Sequence, residues 1–336
     1  MHGRRDALVR FLIRRTLSAS LVVFLVGSST FLLSSAAQGD FFTVLFGFHG
    51  SDDAAQHARK TMGLDRPVAV LYVDWLSHAA RLDFGSSLMY RRPVGPLVAG
   101  RAANTTVLAS SALAIALLAG LPLGILTGSG RGGAAAVVRA LSGLCLSVPP
   151  LIAAILLVAL AALTGVVPVG GMTSLASGPV GWTEWIRDVA LHVPLPALAL
   201  ALPFVAVFER VQSQALAEAL AQPSMTAVLA RGLSKRQMLW RHAWRLSAKP
   251  VVAVAGPIAG TLLSGSFAVE LVTSWPGLAR LTYDALTSRD IYLAAGCATA
   301  AAIFLAAGVF ASDVLLAAVD PRITSPSGGA LATVRS

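Results

Sequence analysis

Three glycines, Gly128, Gly130 and Gly133, match the G-x-G-x-x-G spacing with which a loop approaches a dinucleotide pyrophosphate at a helix N-terminus. That chemistry needs a strand ahead of the loop, and here a long apolar run stands in its place, so a cytoplasmic turn explains the glycines better. No Walker A sequence occurs in the chain. A hydrolase would need a nucleophile within hydrogen-bond reach of a base. Ser266, after Gly265, offers a hydroxyl inside an apolar run, but His2, His49, His57, His78, His192 and His242 lie at the terminus, in polar segments or near run ends. Cys145 and Cys297 lack metal-ligand spacing and read as packing residues. Glu270, with Arg280 nearby, is the best acidic group for proton or sodium coupling, as in a secondary transporter, yet an ion pair at a membrane face accounts for it more simply. Asn104-Thr-Thr106 fits a glycosylation sequon but stands at the mouth of an apolar run and is discounted.

The elements that would carry these residues are plainer than the residues themselves. Six stretches, 16–39, 102–130, 140–168, 189–208, 250–269 and 291–312, run with almost no charged side chain, and each is near the roughly 20 apolar residues that a helix needs to cross the hydrocarbon core. Only helices or closed barrels satisfy their backbone groups there, and the stretches are too long for barrel strands. Hydrophobic residues make up 56% of the 336 and charged residues 12%, too few to cover a water-soluble surface. The expectation is an all-α polytopic membrane protein, one domain over 1–336, with spans near 9–37, 102–128, 138–165, 189–217, 248–272 and 291–318. The first stretch exceeds the roughly 7 to 15 apolar residues of a cleaved signal and is read as a retained span. Gly120 with Gly124, and Gly256 with Gly260, are small-xxx-small pairs suited to close helix approach, and Pro149, Pro150, Pro203 and Pro257 are set to kink the spans.

The net charge of +10 comes without the aromatic-interleaved groove of a nucleic-acid binder. It reads instead as orientation, since Lys and Arg concentrate in cytoplasmic segments. With Arg4, Arg5, Arg10, Arg14 and Arg15 inside, the same side receives Arg131, Arg139, Arg210, Arg231, Lys235, Arg236, Arg241, Arg245, Lys249 and Arg322. Both termini are then cytoplasmic, 38–101 is extracytoplasmic and 218–247 is a cytoplasmic loop.

Both polar segments have local order. In the outer one, Ser51 is placed to cap a helix with Asp52 and Asp53 in its first turn and Gly63 at its end, and Pro67 to open another whose Val68, Leu71, Tyr72, Trp75 and Ala79 share a face. In the inner one, Pro223 opens a short helix with Met225, Val228 and Leu229 on one face, Gly232 stands at a left-handed cap, and Ser234 with Gln237 forms a capping box for the next helix.

Arranged along the chain, several further segments carry a resemblance. Arg10-Phe-Leu-Ile-Arg-Arg15, Gly63-Leu-Asp-Arg-Pro67, Leu82-Asp-Phe-Gly-Ser-Ser87 with Arg92-Pro-Val94, Gly120-Leu-Pro-Leu-Gly124 and Leu146-Ser-Val-Pro149 are followed by the proline-spaced run from His192 to Pro203. Then come Ala230-Arg-Gly-Leu-Ser234 with Arg241-His-Ala243, Glu270-Leu-Val-Thr-Ser-Trp-Pro-Gly277, and Asp313 with Asp320-Pro-Arg-Ile323. In this order they resemble the inner-membrane permease subunits of dipeptide, oligopeptide and nickel ABC importers.

The resemblance implies a type I importer fold of six transmembrane helices in the bacterial inner membrane. It implies a second homologous permease, two ATPase subunits or a fused pair, and an extracytoplasmic substrate-binding protein as partners. ATP and Mg would belong to the ATPases, with no cofactor, metal or catalytic residue in this chain. By similarity to the family's coupling loop, Met225, Val228, Leu229, Ala230, Gly232, Leu233, Lys235 and Arg236 would make or support the ATPase contact. The chain departs from the family pattern just upstream, where Gln222-Pro-Ser-Met225 replaces the usual aromatic and acidic residues, and at Ala37-Gln-Gly-Asp40, where Pro-Gly-Asp is commoner. Peptides are the expected cargo, with nickel or a metal chelate as the alternative.

Overall fold

Helix boundaries follow the punctuation of the sequence. The structure, a computed structural model, describes residues 2–46, 52–130, 132–174 and 181–319, with side chains for 13–46, 55–130, 132–174 and 181–311. Ser51, Arg131, Arg322 and the Asp320-Pro-Arg-Ile323 segment lie outside the described residues, as do the side chains of Arg4, Arg5, Arg10, Asp52, Asp53 and Asp313. The long first helix α1 (His2–Ala36) runs without a break into an outer layer of three short helices, α2 (Phe41–Phe46), α3 (Asp52–Thr61) and α4 (Val68–Ala79). Gly39, with φ +78°, turns the chain, and Asp40 then caps α2 by accepting from the Thr43 N–H at 2.9 Å. Gly63, with φ +66°, ends the segment after α3. Leu71 and Trp75 of α4 are buried and stack on Phe31 of α1, with Tyr72 tilted beside them, whereas Val68 is exposed.

Helices α5 (Val94–Ser129) and α9 (Pro194–Ala221) form the most extensive pair. Glycine permits it: a Cβ on Gly120 would sit 2.7 Å from the Val205 carbonyl oxygen, one on Gly124 2.6 Å from Gln212 Cβ, and one on Gly128 2.6 Å from the Ser213 oxygen. Small residues at four-residue steps let backbones touch, which replaces the hydrophobic driving force that lipid cannot supply. Alanines Ala109, Ala112, Ala116, Ala197, Ala199 and Ala201 continue the same interface in the main core.

The third uncharged stretch, expected as one helix over 138–165, is two helices, α6 (Gly133–Ser147) and α7 (Pro150–Thr164), which meet at 102°. Val148 and Pro149 are both extended, because a residue before proline is pushed out of the α region and two such residues stand in tandem. The prolines break this span where a kink was expected. After α8 (Trp182–His192) and α9, the loop expected to be cytoplasmic folds into α10 (Pro223–Ala230) and α11 (Lys235–Met238). A π turn, Leu239–Ala243, joins α11 to α12 (Trp244–Ser264), whose Pro250 and Pro257 lie within the helix. Two short outer helices, α13 (Phe267–Val272) and α14 (Leu278–Thr287), precede the last, α15 (Ile291–Val319). Gly260 on α12 meets Gly308 on α15 so closely that a Cβ on Gly308 would lie 2.6 Å from the Gly260 Cα. Among the described residues, five helical segments are long and apolar enough to span a membrane, and the bent α6–α7 pair makes a sixth crossing when taken as one span.

Candidate functional site

The loop between α9 and α12 is built by three local rules. Gln222 precedes Pro223 and is extended, so α9 stops and the chain turns into α10. At the other end the Gly232 N–H donates to the Leu229 carbonyl at 2.9 Å, and Gly232 itself has φ +84°, a conformation that glycine alone adopts without strain. Ser234 then closes a capping box: its hydroxyl accepts from the Gln237 N–H at 3.3 Å, and the Gln237 side chain accepts from the Ser234 N–H at 3.1 Å.

The loop is held to the bundle by an apolar cluster. Met225 is buried with Leu216 and Ala219 of α9, Met238 of α11 and Ala243 of the π turn, and Val228, Leu239 and Ile125 pack around them. Thus Met225 and Val228 face inward. Thr226, Ala227, Leu229, Ala230, Arg231, Lys235 and Arg236 are exposed, and Leu233 is half-buried. The eight residues singled out by sequence therefore divide into two that hold α10 from behind and six on or beside its open side.

Above the cluster the helices are pinned by polar contacts that the sequence reading did not assign. Gln212 of α9 donates to the Ser247 hydroxyl of α12 at 2.9 Å, and Arg139 of α6 donates to the Thr127 carbonyl of α5 at 3.2 Å. The Thr127 hydroxyl donates to Glu209, a carboxyl fully buried in α9. Glu209 is thus a buried ionisable group within a spanning helix, in addition to Glu270, the best acidic candidate by sequence. The uncharged run stops at Phe208, but the helix and its buried face continue to Ala221.

Other candidates resolve into structure. Glu270 makes no ion pair with Arg280; the Arg280 guanidinium lies 3.6 Å from Asp284, and only the Arg280 backbone N–H donates to Glu270. Asn104 of the sequon donates to the Pro276 carbonyl at 2.8 Å, Gly128 is packed on α9, and Gly133 opens α6. Cys297 is buried, and the His192 Nδ1–H donates to the Asp188 carbonyl oxygen within its own helix at 2.8 Å.

Residues 120–325 match the family described as binding-protein-dependent transport system inner membrane component, and residues 8–92 match the N-terminal model of the same kind of membrane component. The chain belongs to this family. Among relatives of the permease, a probable peptide ABC transporter permease protein of Sinorhizobium fredii is 29% identical over 322 residues, 93% of this chain and 98% of the relative. The oligopeptide transport system permease protein AppB of Bacillus subtilis is 28% identical, covering 93% and 98% of the two chains. The glutathione transport system permease protein GsiC of Escherichia coli is 28% identical, covering 94% and 99%. The permease is a multi-pass transmembrane protein of ABC type, and the matches run across both the outer layer and the cytoplasmic loop.

Proposed function

We propose that this permease and a homologous second permease together line the path of an ATP-driven importer for short peptides, and that α10 is the helix through which ATP hydrolysis in partner subunits is coupled to it. The observation that carries this reading is a short helix that opens on Pro223 and ends at left-handed Gly232, held to α9, α11 and the π turn by buried Met225, with an open outer side of Leu229 and Ala230 flanked by Arg231, Lys235 and Arg236. A helix fastened this way moves with its bundle as a rigid unit. Two ATPases that close on ATP and Mg would draw such helices together and tilt the bundles from inward-open to outward-open. A substrate-binding protein would deliver the solute at the outer face, with both permease termini in the cytoplasm of a bacterial inner membrane. The peptide assignment is supported by the relatives' names, two of which specify peptide or oligopeptide and one glutathione, itself a tripeptide.

Leu229→Asp tests the coupling role, with the permease coexpressed with the second permease and ATPases encoded beside it. The carboxylate would be buried unpaired against an ATPase groove, costing about 3–5 kcal/mol by analogy with broken buried pairs. The variant should insert and melt like wild type, yet lose the ATPase subunits in detergent and lose uptake. Met225→Asp should instead lower the melting temperature of the permease itself, because Met225 lies in its own cluster. Retention of the ATPases and of uptake by Leu229→Asp would refute the coupling assignment.

A further inference from the structure

At the outer face two buried carboxylates, far apart in role from the coupling loop, flank one helix: Glu270 bonds to the N-terminus of α14, and Asp290 follows its C-terminus and ties the 87–89 segment to the start of α15. Glu270 has no exposure and lies at the N-terminus of α14. One of its oxygens accepts from Ser266 at 2.7 Å and from Thr105 of α5 at 2.8 Å; the other accepts from the backbone N–H groups of Ala279 at 2.9 Å and Arg280 at 3.2 Å. Both oxygens are satisfied, and the negative charge faces the positive end of the α14 dipole. A Cβ on Gly277 would overlap this carboxylate, so the position requires glycine. The bond set extends to α5 on either side: Trp275, fully buried, donates to the Asn104 carbonyl at 3.1 Å, Asn104 donates back to Pro276, and the Leu278 N–H donates to Thr105 at 2.8 Å.

Asp290 does the corresponding work at the other end. It too is fully buried, caps α15 through the Leu293 N–H at 3.1 Å, and accepts from Ser87 at 2.6 Å and from the Met89 N–H at 3.1 Å. Tyr90 adds a bond to Asp284 at 3.2 Å. Between these fastenings Leu278, Leu281 and Ala285 are buried against Val94 and Val98 of α5 and Leu293 of α15, while Tyr283 and Leu286 face outward. The bonds made by Ser87, Met89, Tyr90, Asn104 and Thr105 join segments that are 165 to 203 residues apart in sequence.

We propose that α14 is a rigid outer plate carried by α5 throughout the transport cycle, and that Glu270 and Asp290 are positioning residues that set this plate at the outer mouth. The inference rests on the permease reading above. If α5 rocks with the coupling loop, the plate opens and closes the mouth with it, and no separate hinge is needed at 265–277.

The test uses the assembled complex in nanodiscs, with spin labels at exposed Ser110 on α5 and Tyr283 on α14. Double electron–electron resonance should give one narrow distance, the same without nucleotide and with a non-hydrolysable ATP analogue plus Mg. Glu270→Leu removes both acceptor oxygens from Ala279, Arg280, Ser266 and Thr105, Glu270→Gln leaves one acceptor end where there were two, and Gly277→Ala displaces the carboxylate; each should broaden that distance while the ATPases stay bound. With labels at Met89 and Tyr283, Asp290→Asn should do the same. A wild-type distance that changes with nucleotide would overturn the rigid plate, and unbroadened distributions in Glu270→Gln and Gly277→Ala would overturn the role of Glu270. Uptake of trialanine should be lost in both variants. Its absence in wild type would count against the peptide reading and leave the distances to decide this one.

Discussion

At the scale of single residues, Glu209 and Gln212 differ from the other buried polar groups. They stand one turn apart on α9, and Glu209 Oε2 and Gln212 Oε1 have no hydrogen-bond donor among the described residues. A buried acceptor without a donor costs about 1–3 kcal/mol. Glu209→Gln keeps an acceptor for Thr127 and brings an N–H to the side where the two oxygens are unsatisfied, so the variant should melt at or above the wild-type temperature. Thr127→Val removes the one donor that Glu209 has and should melt lower; the opposite ranking in detergent melts would show that the pair is satisfied by another group. Asp40 gives a pH-dependent counterpart at the outer surface. The Arg59 guanidinium, bonded to both its oxygens at 2.6 and 2.8 Å, holds the Asp40 carboxyl well below the usual carboxylate range. Because the folded pKa is depressed, the stabilisation is complete above the unfolded value of about 4 and is lost as pH falls toward the folded value. Asp40→Asn should therefore speed amide exchange in α2 and α3 at pH 7, with the difference from wild type shrinking in acid. Neither the Thr127–Glu209 nor the Asp40–Arg59 pairing was legible in the sequence, since each joins separate elements, 82 and 19 residues apart, and no local spacing encodes it.

At the scale of elements, the sequence was most informative where a backbone rule acts within a few residues. Pro223, Gly232 and the Ser234–Gln237 box all take the conformations that their chemistry demands, and so do Gly63 and Pro67. Apolar periodicity failed where two rules competed: 140–168 reads as one span by hydropathy, but the tandem Pro149-Pro150 divides it. Which side of α10 faces the bundle was also hidden, because Met225, Val228 and Leu229 share apolar character and only tertiary packing separates the first two from the third. A prediction belongs here. Gly232→Pro cannot reach φ +84°, whereas Gly232→Ala can at a cost of about 1 kcal/mol. The proline variant should lose ATPase binding and uptake, and the alanine variant should retain most of both; equal behaviour of the two in pull-down and uptake assays would show that the left-handed cap is dispensable.

At the scale of the whole molecule, the proposed six crossings, with the bent α6–α7 pair counted as one, would place both termini on one side, and the charge distribution would choose which. The side shared by α10, α11 and the π turn exposes Arg231, Lys235, Arg236, Arg241, Arg245 and Lys249. The outer layer also carries basic residues, but it interleaves them with Asp40, Asp65, Asp74 and Asp83 and binds two of them in the Arg59–Asp40 and Arg66–Asp74 pairs. Segments of that length lie at the limit where the positive-inside bias acts, so the basic α10–α11 loop carries the proposed cytoplasmic orientation. Single cysteines at Lys60, exposed in α3, and at Ser234, exposed at the start of α11, separate the two sides in a background without Cys145 and Cys297. In intact spheroplasts a membrane-impermeant maleimide should label the cysteine at 60 and not the one at 234, and in inverted vesicles it should label the one at 234 and not the one at 60. The reverse pattern would turn the permease over and place α10 where no ATPase could reach it, whereas labelling of both positions from one side would mean an even number of crossings between them and so require that the bent α6–α7 pair does not cross at all.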